Sequence, residues 1–198
     1  YTVDDNARAL IVAMGMEGNE RERLIKIYSD FLKDAQSHTG EWQNLKVNGR
    51  FSSMINSEDS MGRGLLAASY AVNCGIHATE CTARKMLVKA LPKAMRLSSP
   101  RAMAYVLLGF VNLINSMGMT DLIPKTQEIA ERMIGLYDIN RGRSWLWFED
   151  SLTYCNALLP HSLFGFYTVS GDERALRVAK DTLDFLTESL FQKGYLNI

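Results

Sequence analysis

Apolar residues recur along this chain at intervals of three and four positions, which is the spacing of one face of an α-helix. The segment 24–35 shows it most clearly, because Leu24, Ile27, Phe31 and Ala35 share one face while charged residues occupy the other. Glycine, proline and capping residues interrupt the pattern and mark where helices begin and end. The pattern predicts eight helices, at about residues 4–14, 19–35, 58–75, 77–97, 99–114, 120–137, 156–167 and 170–190.

Three helix starts carry recognisable capping signals. Asp4 or Asp5 is expected to cap the first helix with its carboxylate. Ser99 followed by Pro100 marks the start of the fifth helix, and Ser170 with Glu173 three residues later predicts a capping box at the start of the last one.

The predicted helices differ in how much of their surface is apolar. The fifth, from Ala102 to Ile114, is apolar nearly all round, which indicates that neighbours cover every side of it and predicts that it is the most buried element. We expect the first, third, fifth and seventh helices to be buried and the others to keep a solvent-exposed face. This alternation predicts an all-α fold of stacked αα hairpins that forms part of an (α/α)6-type toroid, with four hairpins in this chain. An open α-solenoid of the same hairpins is the alternative.

Two stretches of the chain lack the helical spacing. In the first, residues 37–57, the pair Asn48-Gly49 lies between short apolar runs and predicts a tight β-hairpin. The second, residues 138–153, carries Trp145 and Trp147. Each stretch precedes a predicted odd-numbered helix, so we expect both to lie near the starts of those helices.

A short phrase of acidic residues followed by arginine recurs at the predicted helix starts. It reads Asp-Asp-Asn-Ala-Arg at residues 4–8 and Glu-Asp-Ser-Met-Gly-Arg at residues 58–63, with a further Glu-Asp at 149–150. Weaker echoes follow at residues 99–103 and 156–158. Such repetition is typical of repeated helical hairpins and predicts that the acidic pairs lie at equivalent ends of several helices. The paired acids are Asp4, Asp5, Glu58, Asp59, Glu149 and Asp150.

Paired carboxylates beside indole rings are the groups that glycosidic chemistry requires. One carboxylic acid protonates the leaving oxygen, while a second carboxylate activates water or attacks the sugar. All six paired acids are therefore candidate catalytic residues. Aromatic faces stack on sugar rings, and polar side chains bind the sugar hydroxyls. The candidate substrate-binding residues are Arg8, Arg63, Trp145, Trp147, Tyr154, Asn156 and His161.

Each of these residues also has a structural explanation. An acid at a helix start is commonly a cap, although one cap residue suffices per helix and the pairs exceed that need. Arg8 and Arg63 can brace the neighbouring carboxylates, and one of the two tryptophans is expected to point into the core. His161 follows Pro160 in an apolar helix, which is typical of a core histidine.

The composition argues against other classes of partner. The 22 basic residues equal the 22 acidic ones, so no global field attracts nucleic acid. No segment approaches the ~20 uninterrupted apolar residues of a membrane span. The sequence has no metal-ligand spacing and no glycine-rich phosphate loop, so we predict neither a metal nor a cofactor. Three cysteines without a Cys-x-x-Cys pair lean toward a reducing compartment such as the cytoplasm, although they do not determine the localisation.

The phrases at residues 2–10, 58–63 and 147–150 resemble those of a known family. This is the (α/α)-toroid domain of the six-hairpin-glycosidase type, found with bacterial carbohydrate-active proteins and often beside or fused to glycosyltransferases. The resemblance runs from Tyr1 to Ile198 and implies a toroid fold, a bound oligosaccharide and a fused or neighbouring glycosyltransferase domain as partner. One departure is that Cys155 precedes Asn156 where the resemblance implies a polar residue, often Asp, at the funnel. Loss of an acid there would weaken or abolish catalysis.

Three functions remain open for a single domain that spans residues 1–198 and is expected to be a piece of a larger toroid. The first is a glycoside hydrolase-like domain that acts on a glycan in the central funnel. The second is a non-catalytic glycan-binding or accessory domain of a glycosyltransferase, and the third is an α-solenoid scaffold that binds protein. Acids held in ion pairs with Arg8 and Arg63 would favour binding over hydrolysis.

Overall fold

The computed structural model describes residues 1–192 and 194–195 of the chain. Within them the protein is mostly helical, with eight α-helices and one two-stranded hairpin, which confirms the predicted all-α class. A 3-10 turn, Thr120–Leu122, leads into the sixth helix. The strands of the hairpin are β1, Leu45–Val47, and β2, Arg50–Ser52. The helices are α1, Val3–Met14; α2, Glu20–Ala35; α3, Glu58–Ala71; α4, His77–Ala94; α5, Pro100–Met117; α6, Ile123–Asn140; α7, Leu158–Ser170; and α8, Glu173–Leu190.

The packing of the helices follows their order in the chain. The odd-numbered helices form a continuous row, in which α1 packs on α3, α3 on α5, and α5 on α7. Each even-numbered helix packs on the odd-numbered helix that precedes it, as expected for helical hairpins. Among the even-numbered helices, α2 also packs on α4, and α6 on α8. The four hairpins predicted from the sequence are therefore present.

Hydroxyl side chains, rather than the acidic pairs, cap the first three helices of the odd-numbered row. Thr2 caps α1, Ser57 caps α3 and Ser99 caps α5, each by accepting a hydrogen bond from a backbone N–H in the first turn. The expectation that Asp4 or Asp5 caps the first helix is therefore wrong. Because one cap suffices for each helix, the acids of the first turn remain free to bind other groups.

The last helix begins later than the predicted capping box at Ser170. Asp172 caps α8, because its Oδ1 atom accepts hydrogen bonds from the N–H groups of Arg174 and Ala175 at 2.8 and 3.1 Å. Ser170 instead ends α7, where its hydroxyl donates to the carbonyl oxygen of Phe166 at 2.9 Å. The predicted box at Ser170 is therefore wrong, since the stronger carboxylate acceptor lies two residues further along.

Burial is most complete in α3, which the sequence pattern did not single out. Twelve of its fourteen residues are buried, including Asp59 and Arg63, whereas α5 keeps several half-exposed positions. The prediction that the segment Ala102 to Ile114 is the most buried element is therefore wrong. Small residues explain the burial of α3, because they let neighbouring elements approach its backbone closely.

Two glycines of α3 mark these close approaches. A Cβ atom on Gly62 would lie 2.8 Å from the carbonyl oxygen of Ala102 in α5. A Cβ atom on Gly64 would lie 2.8 Å from the ring of Trp42, which is itself completely buried. Neither site has room for a side chain, so glycine is required for α3 to lie between α5 and the loop that carries Trp42.

The first and seventh helices are buried on one face only. Val12 of α1 is 67% exposed, and His161 of α7 is exposed as well. The expectation that all odd-numbered helices are buried is therefore wrong for these two. Both lie at the ends of the odd-numbered row, where a helix has a packed odd-numbered neighbour on one side only.

The predicted β-hairpin is confirmed at Asn48-Gly49. Both residues have positive φ angles, 49° and 78°, as the central positions of a type I′ turn require. The chain that enters β1 runs beside the start of α1, where the N–H of Val3 donates to the carbonyl oxygen of Asn44 at 2.9 Å. This contact places the Asn44 side chain next to the first turn of α1.

We predict that adding a single methyl group distinguishes packed from open glycines. Gly62→Ala should lower the free energy of unfolding by about 1–3 kcal/mol, because the new Cβ forces α3 and α5 apart. Gly135→Ala in α6 is the matched control, since nothing lies within 4 Å of its Cβ position. It should raise stability by up to about 1 kcal/mol through helix propensity. Urea unfolding monitored by circular dichroism measures both values, and equal effects would contradict the close packing at Gly62.

Candidate functional site

One acid from each recurring pair lies in a polar network at the starts of α1, α3 and α5. Asp4 binds Arg63, with 2.7 Å between Oδ1 and Nη1. Arg63 also lies 3.5 Å from Asp59 of its own helix, measured from Nη2 to Oδ2. The Arg63 side chain is only 8% exposed, so these are contacts of a buried guanidinium. The recurring phrase thus brings acids together with arginine at one end of the odd-numbered row.

Further groups surround the Arg63 guanidinium. Its Nε–H donates to the hydroxyl of Tyr105 at 3.1 Å, and its Cζ atom lies 5.0 Å from the centre of that ring. Burial acts to lower the pKa of Arg63, but the hydrogen bonds to Asp4 and Tyr105 outweigh it and raise the pKa above its ordinary value. Burial in turn raises the pKa of Tyr105. Arg63 is therefore a permanent positive charge held between oxygen atoms.

Asn44 fixes the second carboxylate oxygen of Asp4. The Asn44 side-chain amide donates to Oδ2 of Asp4 at 3.1 Å, and its carbonyl oxygen accepts from the backbone N–H of Asp4 at 3.2 Å. Asn44 is buried, and its own position follows from the contact between the loop and α1. The Asp4 carboxylate thus has a donor on each oxygen.

A second arginine, Arg101, organises the other half of the network. It lies in the first turn of α5, it is 3% exposed, and its Nη1 atom lies 2.6 Å from Oε2 of Glu149. Its Nη2–H donates to Oδ1 of Asn156 at 3.0 Å, and its Nε–H donates to the backbone carbonyl of Tyr154. This one residue therefore holds the loop of residues 141–157 against the start of α5.

Tyr154 joins the two halves of the network. Its hydroxyl donates to Oδ2 of Asp59 at 2.7 Å, while the Arg101 guanidinium lies 4.7 Å from the centre of its ring. The hydroxyl of Ser99 donates to the other oxygen of Asp59 at 3.0 Å. Tyr154 as a whole is 53% exposed, but partial burial around its hydroxyl and the hydrogen bond to Asp59 raise its pKa to about 12.

The remaining predicted acids lie outside this network. Glu58 accepts hydrogen bonds from the N–H groups of Ser98 and Ser99 and so holds the loop before α5. Asp5 is exposed and pairs with Arg8 at 3.3 Å. Asp150 is exposed and accepts a hydrogen bond from the hydroxyl of Ser151. In each recurring pair, therefore, one acid belongs to the network and the other lies outside it.

The two predicted sugar platforms lie against the core instead. Trp147 is completely buried between Phe148 and Phe185, and within the described residues its indole N–H has no hydrogen-bond partner. Trp145 is half-buried, packs edge-on against Phe185, and donates its N–H to the backbone carbonyl of Glu149 at 2.7 Å. One of the two indoles, that of Trp147, thus points into the core as expected, while that of Trp145 is only partly covered. Both indole rings pack against Phe185 of α8, which lies over this loop.

An open groove crosses all four odd-numbered helices and has a volume of about 440 Å³. Its apolar surface comes from residues such as Ile11, Leu108 and Val111. Its polar and aromatic lining is Tyr70 of α3, Asn112 and Asn115 of α5, and His161 and Thr168 of α7. The expectation that His161 is a core histidine is wrong, because the groove exposes its ring.

A shallow pocket connects the groove with the polar network. Tyr105, Cys155 and Asn156 line it together with His161, which also belongs to the groove. Cys155 is exposed and has a φ of 48°, in the left-handed region. The residue that departs from the expected acid therefore lies at the edge of the groove.

Sequence reasoning missed Arg101, Tyr105 and Asn44 as members of the network. A signal for Arg101 was present, because it occupies the arginine position in the echo of the recurring phrase at residues 99–103. Tyr105 and Asn44 carried no such signal. In the sequence pattern, Tyr105 is indistinguishable from the other apolar positions of α5, and Asn44 is indistinguishable from an ordinary loop residue.

The described residues contain no cluster of three or more His, Cys, Asp or Glu side chains that would hold a metal ion. The same part of the chain has no helix of the length and apolarity needed to cross a membrane. No family model matches this chain, and no curated protein matches it either.

We predict that the two arginines of the recurring phrase differ sharply in their effect on stability. Arg63→Ala should lower the free energy of unfolding by about 3–5 kcal/mol, because it leaves the buried Asp59 and the partly buried Asp4 without their countercharge. Arg8→Ala, which removes an exposed pair, should change it by less than about 0.5 kcal/mol. Urea unfolding compares the two variants, and similar losses would refute the central role of Arg63.

We predict that Tyr154 makes stability fall at alkaline pH. Its pKa is raised in the folded protein from 10.0 to about 12, so the folded state holds the phenolic proton more tightly than the unfolded chain does. The resulting stabilisation is complete below about pH 10 and is lost as the pH rises to about 12. Tyr154→Phe should therefore flatten the decline of unfolding free energy over this window in urea titrations. The control is Tyr1→Phe at an exposed site, and equal flattening by both variants would contradict the assignment.

Proposed function

We propose that this chain is a non-catalytic glycan-binding domain whose odd-numbered helices line the inside of an (α/α) toroid. The observation that carries the proposal is the open groove across α1, α3, α5 and α7. Its volume of about 440 Å³ lies within the range of small-ligand sites, roughly 300–1,000 Å³. The row of odd-numbered helices supports a toroid or a solenoid equally, and the resemblance of the recurring phrases favours the toroid.

The groove combines the groups that recognise a sugar. Tyr70 is 43% exposed and offers part of its ring to the apolar face of a pyranose. Asn112 donates its amide to the backbone carbonyl of Ser69 at 2.9 Å, which orients its carbonyl oxygen away from that contact. Asn115 and His161 are exposed and add donors and acceptors for hydroxyl groups. Apolar positions such as Leu108 separate these polar groups, as a partly apolar ligand requires.

The ion pairs of the acids support binding rather than hydrolysis. A glycosidase needs one carboxyl group that holds a proton for the leaving oxygen. Asp4 and Asp59 instead contact Arg63, and Glu149 contacts Arg101, so each carboxylate is paired with a positive charge. These contacts occupy carboxylate oxygens that a leaving group or an attacking water would have to reach. The network therefore has the ion pairs expected of a structural element that holds the residues at the edge of the groove in place.

A glycosyltransferase domain is the partner that we propose for this binding domain. The basis is the resemblance of the recurring phrases alone, since family members often lie beside or are fused to such enzymes. In that arrangement the groove would hold the acceptor glycan. A protein-binding scaffold is a weaker explanation, because the groove holds only about 440 Å³ and carries isolated polar groups rather than a broad apolar surface.

We predict that Tyr70→Ala weakens oligosaccharide binding by roughly tenfold or more, a loss of ~1.4 kcal/mol, because it removes the aromatic platform. Calorimetry with a panel of manno-, gluco- and xylo-oligosaccharides provides the measurement. Tyr1→Ala serves as the matched control, since Tyr1 is exposed and lies outside the groove. Binding that is unaffected at Tyr70, or absent for every member of the panel, would overturn the proposal.

The hydrolytic alternative is tested in the same experiment. The oligosaccharides are incubated with the protein, and new reducing ends are measured. We expect none to form. Hydrolysis that disappears in Asp59→Asn, with the unfolding free energy unchanged, would establish a catalytic role for that acid in place of the structural one.

A further inference from the structure

The layer of even-numbered helices has a gap between its second and third members. The helix α2 packs on α4 and α6 packs on α8, but the described residues of α4 and α6 form no comparable packed pair. The 3-10 turn and the end of α5 lie at this gap, and they leave a cavity of about 360 Å³ between the two halves of the chain. The cavity lies on the layer opposite to the groove, since α4 lines it and α1 and α7 do not.

The lining of this cavity is almost entirely apolar. Its floor is buried and consists of Leu65, Val72, Phe110, Leu113 and Leu122. Its rim is exposed, because Val88 of α4 is 75% accessible and Met119 is 39% accessible. A buried apolar floor below an open rim is suited to a single extended hydrocarbon chain.

One charged side chain, Arg84, completes the lining. It is exposed, it lies one helical turn from Val88, and it takes part in no ion pair among the described residues. Lys85 and Lys89 are also exposed on α4 but do not line the cavity, so Arg84 is the charged group at its edge. An unpaired guanidinium beside an apolar cavity has the charge and geometry to bind a carboxylate.

We propose that this cavity binds the acyl chain of a free fatty acid, with its carboxylate on Arg84. The buried floor and the limited volume favour a single chain over a second protein surface, which would require a wide, continuous apolar patch. The Arg84 guanidinium favours an acid over an alcohol of equal length. This site is independent of the glycan groove, because the two cavities share no lining residue.

Calorimetry with saturated fatty acids below their micellar concentrations tests the proposal. Each additional methylene should tighten binding about fourfold from hexanoate to decanoate, because each one is removed from water in the cavity. Decanoate should also bind at least tenfold more tightly than decanol, since only the acid is held by Arg84. Equal binding of decanoate and decanol, or affinity that does not grow with chain length, would overturn the proposal.

Two variants with matched controls locate the site without disturbing the core. Val88→Asp places a negative charge at the exposed rim and should weaken decanoate binding at least tenfold, while Val12→Asp, at a similarly exposed valine of α1, should leave it unchanged. Arg84→Gln should remove the preference for decanoate over decanol, whereas Lys85→Gln should keep it. Loss of binding in both valine variants, or none in either, would place the ligand elsewhere.

The main alternative is that this cavity docks the protein onto a lipid membrane. Binding to vesicles distinguishes the two explanations. Co-sedimentation with vesicles of phosphatidylcholine and phosphatidylglycerol should leave the protein in the supernatant. Sedimentation that depends on Val88 and Arg84, together with no binding of free decanoate, would overturn the fatty-acid site in favour of membrane docking.

Discussion

The buried charge of Arg63 is the constraint on which the arrangement of this protein depends. A guanidinium that is removed from water has to be surrounded by oxygen atoms, and no single helix can supply them. Asp4 comes from α1, Asp59 from α3 itself and Tyr105 from α5. The starts of three helices that are distant in the sequence are thereby held at fixed positions. Arg101 extends the same principle to the loop before α7.

The small residues of α3 make this arrangement sterically possible. Gly62 and Gly64 allow α5 and Trp42 to approach the helix backbone, so that α3 lies between its neighbours with almost all of its surface covered. The polar network then closes one end of the row. The exposed groove remains on the side where the odd-numbered helices have no second layer. Close packing thus fixes the sides of these helices, and charge pairing fixes their starts.

The assignment of the acids to ion pairs changes the functional interpretation. Paired carboxylates at helix starts first favour hydrolysis of a glycan, but the proposed function is binding because Arg63 and Arg101 occupy the oxygens that chemistry would need. The proposed glycan groove and the proposed acyl cavity lie in different layers. The odd-numbered helices alone line the first, whereas α4 and the 3-10 turn contribute to the second, at the gap between α4 and α6.

The sequence by itself determined the local elements of this protein. Periodicity located the helices, Ser99-Pro100 marked the start of α5, and Asn48-Gly49 marked the hairpin, because each signal acts within a few residues. The recurring phrase also indicated which helix ends carry acids. Only the tertiary structure decided that Trp147 is buried, that His161 is exposed, and that Arg63 binds an acid 59 residues away. Those outcomes depend on which surfaces meet when helices pack, and no local pattern contains that information.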